Sequence, residues 1–124
     1  DIVIIQDAAR PFLKDKYIEE SLKILDDTCD GAIIAVKCKD TIKVIDENGI
    51  VVETPNRNNL IAVHTPQTFK FEILKKAHQI AEEKNILATD DASLVENIFG
   101  KIKFIHGDYD NIKITVQEDL KYLK

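Results

Sequence analysis

The feature that most limits how this chain can fold is a pair of apolar runs, Ile2-Val3-Ile4-Ile5 and Ala32-Ile33-Ile34-Ala35-Val36, with a helix-period segment between them. Neither run alternates with polar residues. An unbroken, largely β-branched run of this length reads as a strand covered on both faces, the pattern of parallel sheets. Between the runs, Pro11 breaks the chain, Asp15 is placed to cap a helix, and Ile18, Ser21, Leu22 and Leu25 recur at helical spacing. Glu19 and Glu20 lie near the positive end of that helix. Strand, helix, strand predicts a βαβ unit with a right-handed crossover. With 124 residues, one domain around one core is expected.

After Asp40 the period changes. Residues 41–45 and 50–53 are short β-prone runs joined by Asp46-Glu47-Asn48-Gly49, and Asn-Gly is a strong hairpin signal. A two-stranded ribbon is marginal by itself, so this one is expected to pack on something, such as a second copy of the chain. A polar loop, residues 54–59, leads to a strand at residues 60–64 and the Thr65-Pro66-Gln67 segment. Phe71, Leu74, Ala77, His78 and Ala81 then mark an amphipathic helix. Residues 89–96 read as a capped helix ending near Gly100, and residues 101–106 as a strand. Thr115 with Glu118 fits a capping box for a last helix with Val116, Leu120 and Leu123 on one face. The chain opens directly on a strand, as expected of the C-terminal portion of a longer polypeptide.

The net charge of −5 argues against a nucleic-acid backbone as the main partner, although a few focused cations can still hold a small anion. No stretch approaches the ~20 apolar residues of a membrane span, and no charged leader with an apolar core opens the sequence, so a cytoplasmic location is expected. Cys29 and Cys38 lack a zinc or redox spacing and are expected to be free thiols serving as small core residues.

Common catalytic motifs are absent: there is no P-loop, no dinucleotide fingerprint, no zinc-protease helix and no Cys cluster. What remains is a scatter of polar residues in connections that follow strands, where α/β sheets bind ligands. Asp7 and Arg10 come first. The chain has 15 lysines and two arginines, Arg10 and Arg57, so each arginine is a candidate for planar, bidentate contacts that lysine makes poorly. Thr41, Thr65, Thr89 and Lys113 complete the set; Lys113, between two isoleucines, must point away from their face. Asp90-Asp91 could hold magnesium or accept a phosphoryl group, but a helix N-cap with a first-turn acid is the simpler reading. His64, His78 and His106 have no nucleophile beside them and are read as packing or solvent-facing residues.

Taken in order, Asp7-Ala8-Ala9-Arg10-Pro11, Lys39-Asp40-Thr41-Ile42-Lys43, the Arg57 loop, Thr65-Pro66-Gln67-Thr68-Phe69, Thr89-Asp90-Asp91-Ala92-Ser93 and Asn111-Ile112-Lys113-Ile114-Thr115 resemble the 2-C-methyl-D-erythritol 4-phosphate cytidylyltransferases. The six motifs span nearly the whole chain. The resemblance implies an α/β fold, part of a Rossmann-like nucleotidyltransferase sheet with helices on both faces and a protruding β-hairpin arm at about residues 41–57. It implies transfer of a cytidylyl group from CTP to methylerythritol phosphate with release of pyrophosphate, a step of non-mevalonate isoprenoid synthesis. Magnesium is expected with the CTP. Arg57 and Lys113 would position the substrate phosphate, Thr41 and Thr89 would donate hydrogen bonds nearby, and Asp7, Arg10 and Thr65 would hold the polyol hydroxyls.

The family is dimeric, so the arm would carry Thr41 and Arg57 into the partner's site. The family's glycine-rich nucleotide loop has no counterpart in these 124 residues, which implies that this stretch alone does not turn over. Gln6 stands where the family often has histidine, and Asn58-Asn59 where a glycine commonly precedes the leucine. The related ribitol 5-phosphate cytidylyltransferases share the chemistry, but Ala8-Ala9 and the run from Asp90 to Glu96 look more like the methylerythritol enzymes. A non-catalytic dimerisation or binding module is the reading from another class.

Overall fold

The computed structural model describes residues 1–123. Strand β1 (Ile2–Ile5) is followed by helix α1 (Asp15–Ile24) and β2 (Gly31–Lys37). β3 (Val44–Ile45) and β4 (Val51–Glu53) form a separate two-stranded ribbon. After a 3-10 turn at Arg57–Asn59, β5 (Ile61–Lys70) runs straight into α2 (Phe71–Lys84), and α3 (Asp91–Asn97), β6 (Ile102–His106) and a 3-10 turn at Gln117–Leu123 complete the chain.

The main sheet has the order β1-β5-β2-β6. β1 and β2 share a direction but are not neighbours, because β5 lies between them and is antiparallel to both. Among the described residues only β2 and β6 form a parallel pair. The two runs are parallel, as the βαβ reading expects, but the sheet between them is mixed: the strand that separates β1 from β2 arrives more than twenty residues after β2 and leaves no trace in the local pattern. β1 is also not covered on both faces. Ile2 and Ile4 are 46% and 40% exposed, while Val3 and Ile5 pack against the core.

β5 is longer than the expected run at residues 60–64. It continues through Thr65-Pro66-Gln67 to Lys70, which a central proline would ordinarily forbid. The register explains why it can. Ile33 of β2 faces Gln67 but Ala35 faces Val63, so β5 bulges around Pro66, and β1 pairs only from Gln67 onward. No ladder position requires the missing proline N–H, and the bulge frees residues 64–66 from β2 and turns them toward the end of β1.

Helices cover both faces, as expected. On one face α2 and α3 pack Leu74, Ala77, Ala81, Ala92, Leu94 and Val95 against Ile33 and Phe69. On the other lies α1, whose buried residues are Tyr17 and Ser21 rather than the Leu22 stripe, since Leu22 is 44% exposed. Tyr17 turns inward because its hydroxyl has a partner there: it donates to Asp108 at 2.7 Å. Asp15 is the first helical residue rather than the cap, which is Lys14, whose side chain reaches Asp108 and Asp110 instead of capping the helix. Gly31 admits no side chain, because a Cβ would lie 2.6 Å from Phe69 Cδ1 and 2.8 Å from Ile102 Cδ1. Both cysteines are free; Cys29 is buried and Cys38 partly so.

The hairpin forms at the expected turn. Asp46 Oδ1 accepts from the N–H groups of Asn48 and Ile50, and Gly49 supplies the left-handed φ of +82°. Thr41 precedes the ribbon strands. The expected capping box near the end is replaced by a different cap: Asp119, not Glu118, accepts from the N–H groups of Thr115 and Val116. The chain then enters its last 3-10 turn, and Val116, Leu120 and Leu123 stay half exposed because no described element packs over them. Among the described residues no helix is long and apolar enough to cross a membrane.

Candidate functional site

At the carboxyl end of β1, four segments distant in sequence surround a cleft of about 270 Å³. Asp7 and Arg10 enter from the β1–α1 connection, Val63, His64, Thr65 and Gln67 from the bulged β5, Thr89 and Asp90 from the approach to α3, and Lys113 from the stretch after β6. Five of the seven residues assigned by the family resemblance therefore meet in one place. A larger cavity of about 500 Å³ lies elsewhere, lined by Phe12, Tyr109, Asp110, Ile112 and Tyr122, and gathers none of the seven.

The wall carrying Asp7 and Arg10 is a hydrogen-bonded turn. Arg10 N–H donates to the Asp7 carbonyl at 3.0 Å, Asp7 Oδ1 accepts from Ala9 N–H at 2.9 Å, and Gln6 Nε2 donates to the Arg10 carbonyl at 2.9 Å. Asp7 N–H donates to Thr65 Oγ1 at 3.0 Å, which fixes the loop to β5 and leaves the threonine proton free to donate. Asn111, fully buried, holds the far side. Its carbonyl accepts from Arg10 Nη1 at 2.7 Å and its Nδ2 donates to the Thr65 carbonyl at 2.9 Å. The guanidinium has spent one of its donors on this anchor, so the rest of the fork remains for a ligand.

Lys113 Nζ lies 3.4 Å from Asp7 Oδ2 with half its side chain exposed, and Ile114 N–H donates to the Ala9 carbonyl at 2.7 Å. The isoleucine neighbours are partly buried while Lys113 faces outward, so the alternation read from the sequence holds. The Ala9 N–H, more than the Lys113 charge, holds the Asp7 carboxyl below the usual carboxylate range.

Asp90 belongs to the scaffold rather than to a metal site. It caps α3, accepting from Ser93 N–H at 2.9 Å and from Gln67 Nε2 at 3.0 Å, and Gln67 Oε1 in turn accepts from Ala92 N–H. Burial opposes its ionisation, but the Ser93 and Gln67 hydrogen bonds outweigh that and keep its carboxyl low. Asp91 is engaged by His78 at 2.8 Å. The two acids point to different partners, and among the described residues no group of three or more acidic, histidine or cysteine side chains could hold a metal ion.

Thr41 and Arg57 lie outside the cleft lining. Both are exposed. Arg57 opens the 3-10 turn capped by Asn56, and its Nη1 donates to the Lys39 carbonyl at 2.7 Å. The base of that loop is tied down by Lys37 Nζ to the Asn58 carbonyl and by the Tyr109 hydroxyl to the Lys37 carbonyl.

His78 and His106 fit their structural reading, the first paired with Asp91 and the second edge-on to Phe104 at 4.8 Å. His64 does not: it lines the cleft. Sequence reasoning also passed over Gln67 and Asn111 as individuals, although each sits inside a motif that it singled out. No local pattern marks them: alternation would turn Asn111 outward with Lys113, and the burial of Gln67 lies in an unbroken buried run of β5.

The model of the family described as 2-C-methyl-D-erythritol 4-phosphate cytidylyltransferase matches residues 1–123. A protein of that description from Fusobacterium nucleatum is 90% identical over 124 residues, covering 100% of this chain and 54% of its own length. One from Dictyoglomus thermophilum is 46% identical over 125 residues, again 54% of its length. Among solved structures, the 4-diphosphocytidyl-2C-methyl-D-erythritol synthase of Anaerococcus prevotii superposes with a TM-score of 0.89 at 34% identity, over 98% of this chain and 56% of that one. The chain thus spans about half the length of the relatives it matches.

Proposed function

The chain belongs to the 2-C-methyl-D-erythritol 4-phosphate cytidylyltransferase family, and we propose that the complete protein transfers a cytidylyl group from CTP to methylerythritol phosphate. The observation that carries this reading is the convergence of Asp7, Arg10, Thr65, Thr89 and Lys113 on one cleft. A phosphate oxygen of the polyol phosphate attacks the α-phosphorus of CTP; the new P–O bond forms as the bond to the bridging oxygen breaks, and pyrophosphate leaves. The nucleophile is already a dianion, so no general base is required. What the site must supply is in-line placement and cations to offset crowded negative charge.

In this reading Asp7, Arg10 and Thr65 hold hydroxyls of the polyol. Asp7 is suited to that task because its carboxylate stays ionised and accepts, while Arg10 and Thr65 donate. Lys113 and Thr89 meet the phosphate. The charge of the cleft calls for more: Arg10 and Lys113 are matched by Asp7 and Asp90, so a dianion entering it finds no surplus of cations in one chain. Arg57, exposed and outside the lining, is the natural supplement. We therefore keep Thr41 and Arg57 in the site as contributions from a second subunit in a homodimer, delivered by the arm at about residues 41–57. The apolar ribbon residues Ile45, Ile50, Val51 and Val52, each more than half exposed, give that arm a reason to pack on a partner.

Asp90 and Asp91 do not fit a resident magnesium site, since each is already engaged. The divalent ion expected in the reaction travels with the nucleotide phosphates, as magnesium usually does. The nucleotide is bound by residues outside these 124, so the stretch alone is inactive, and the complete enzyme works in the cytoplasm, where CTP is supplied.

The test is CTP-dependent release of pyrophosphate by the complete protein, with methylerythritol phosphate and ribitol phosphate compared as acceptors. Turnover with the first at a clear advantage is expected. Preference for ribitol phosphate, or no turnover with either, would overturn the reading.

A further inference from the structure

His64 has a place in the cleft that the family resemblance does not assign, and an unusual hydrogen-bonding state. Its Nδ1 is sealed from solvent and has no partner, and among the described residues Nε2 has no protein partner either. The ring nevertheless lines the cleft beside Arg10, Thr65 and Thr89. With Nδ1 sealed, the only ring nitrogen that can meet an incoming molecule is Nε2.

Burial, and then the Arg10 charge, lower the imidazole below its ordinary value, so the ring is neutral at neutral pH and carries one proton. That proton sits on one nitrogen or the other. An orphaned acceptor is more common in folded proteins than an orphaned N–H, which favours the bare lone pair at the sealed Nδ1 and the proton on Nε2. The cleft thus presents one uncharged donor among charged groups. A charged donor takes any phosphate oxygen, whereas a neutral N–H of limited reach is suited to a hydroxyl.

We propose that His64 is a polyol-positioning residue of the cleft, its Nε2–H donating to a hydroxyl of the acceptor rather than to its phosphate. The inference rests on the functional reading given above and adds a contact to it. The bulge at Pro66 is what makes the contact possible, since it leaves residues 64–66 without partners on β2 and turns them toward the end of β1.

The test uses the complete protein and steady-state kinetics with methylerythritol phosphate, with Tm recorded for each variant. H64A should raise KM for the polyol phosphate about five- to tenfold, the worth of one neutral hydrogen bond, with KM for CTP unchanged. H64Q, whose amide nitrogen reaches the Nε2 position, should restore KM to near the wild-type value. H64N, whose amide nitrogen reaches only the Nδ1 position, should behave like H64A. An unchanged KM in H64A overturns the proposal, as does equal behaviour of H64N and H64Q, which would mean that the ring merely packs. If the wild-type protein fails to turn over the polyol phosphate, the functional reading itself falls and takes this inference with it. If the wild type is active and H64A is indistinguishable from it, only this inference falls.

Discussion

The cleft and the arm carry the two arginines of the chain, and they are built in opposite ways. Around Arg10 every segment is fastened to another: the Asp7 turn to Thr65, Arg10 and Thr65 to buried Asn111, residue 114 back to Ala9. Around Arg57 the fastening is confined to the loop base, and the ribbon beyond it turns its valines and isoleucines to solvent. The walls of the cleft are tied to one another within one chain, whereas among the described residues nothing packs over the apolar side chains of the hairpin. On the proposed reading, the fold would preorganise one part of the site and assembly would supply the other.

That contrast can be broken most directly by mixing subunits. Arg57→Ala and Lys113→Ala should each lower turnover of the complete enzyme by about ten- to a hundredfold or more, the worth of a charge-assisted contact to phosphate. Mixed and re-equilibrated, they should regain about a quarter of wild-type activity if each site draws the two residues from different subunits of a symmetric dimer. Assay of the mixture checks this, and no recovery would place both residues in one chain.

Next comes the internal fastening. Asn111→Ala removes the donor to Thr65 from a fully buried position and should cost about 2 kcal/mol in urea unfolding. KM for the polyol phosphate should rise as well, because the Arg10 anchor loosens. The corresponding arm change, Val52→Lys, should leave monomer stability within about 0.5 kcal/mol, since the residue is 61% exposed. It should raise the dimer dissociation constant measured by sedimentation. Comparable unfolding costs for the two variants would erase the distinction between the regions.

The smallest effect concerns pH. Asp7 has a folded pKa below its unfolded value of about 4, so its ionised form stabilises the fold above that pH. This contribution is lost as pH falls through the lower folded value. The stability gap between wild type and Asp7→Asn should be constant above about pH 4 and close as pH falls below it through the lower folded value. A constant gap at all pH values would show that the Asp7 contacts do not depend on its charge.

Much of the organisation was legible because it is local. The hairpin at Asp46–Gly49, the Asp90 cap and the α2 stripe each rest on a few adjacent residues whose chemistry admits little else. The central position of β5 was not legible. Pro66 looks like the end of a strand until its partners are known, and the pairings that tolerate it come from residues about 30 or more positions away. The Tyr17 face of α1 was obscured similarly, because the Asp108 that draws the phenol inward lies 91 residues along the chain. In the cleft, residues in motifs were found and the polar residues that hold those motifs together were not. His64 was read as packing or solvent-facing because a lone strand gives no hint that a bulge will turn it into the cleft.

The outer edge of β1 bears on how the polypeptide behaves in solution. Its second hydrogen-bonding ladder has no strand beside it among the described residues, and the exposed Ile2 and Ile4 lie on this same strand. An apolar edge of this sort templates the addition of further strands, so these 124 residues produced alone would have a tendency to stack edge to edge into aggregates as concentration rises.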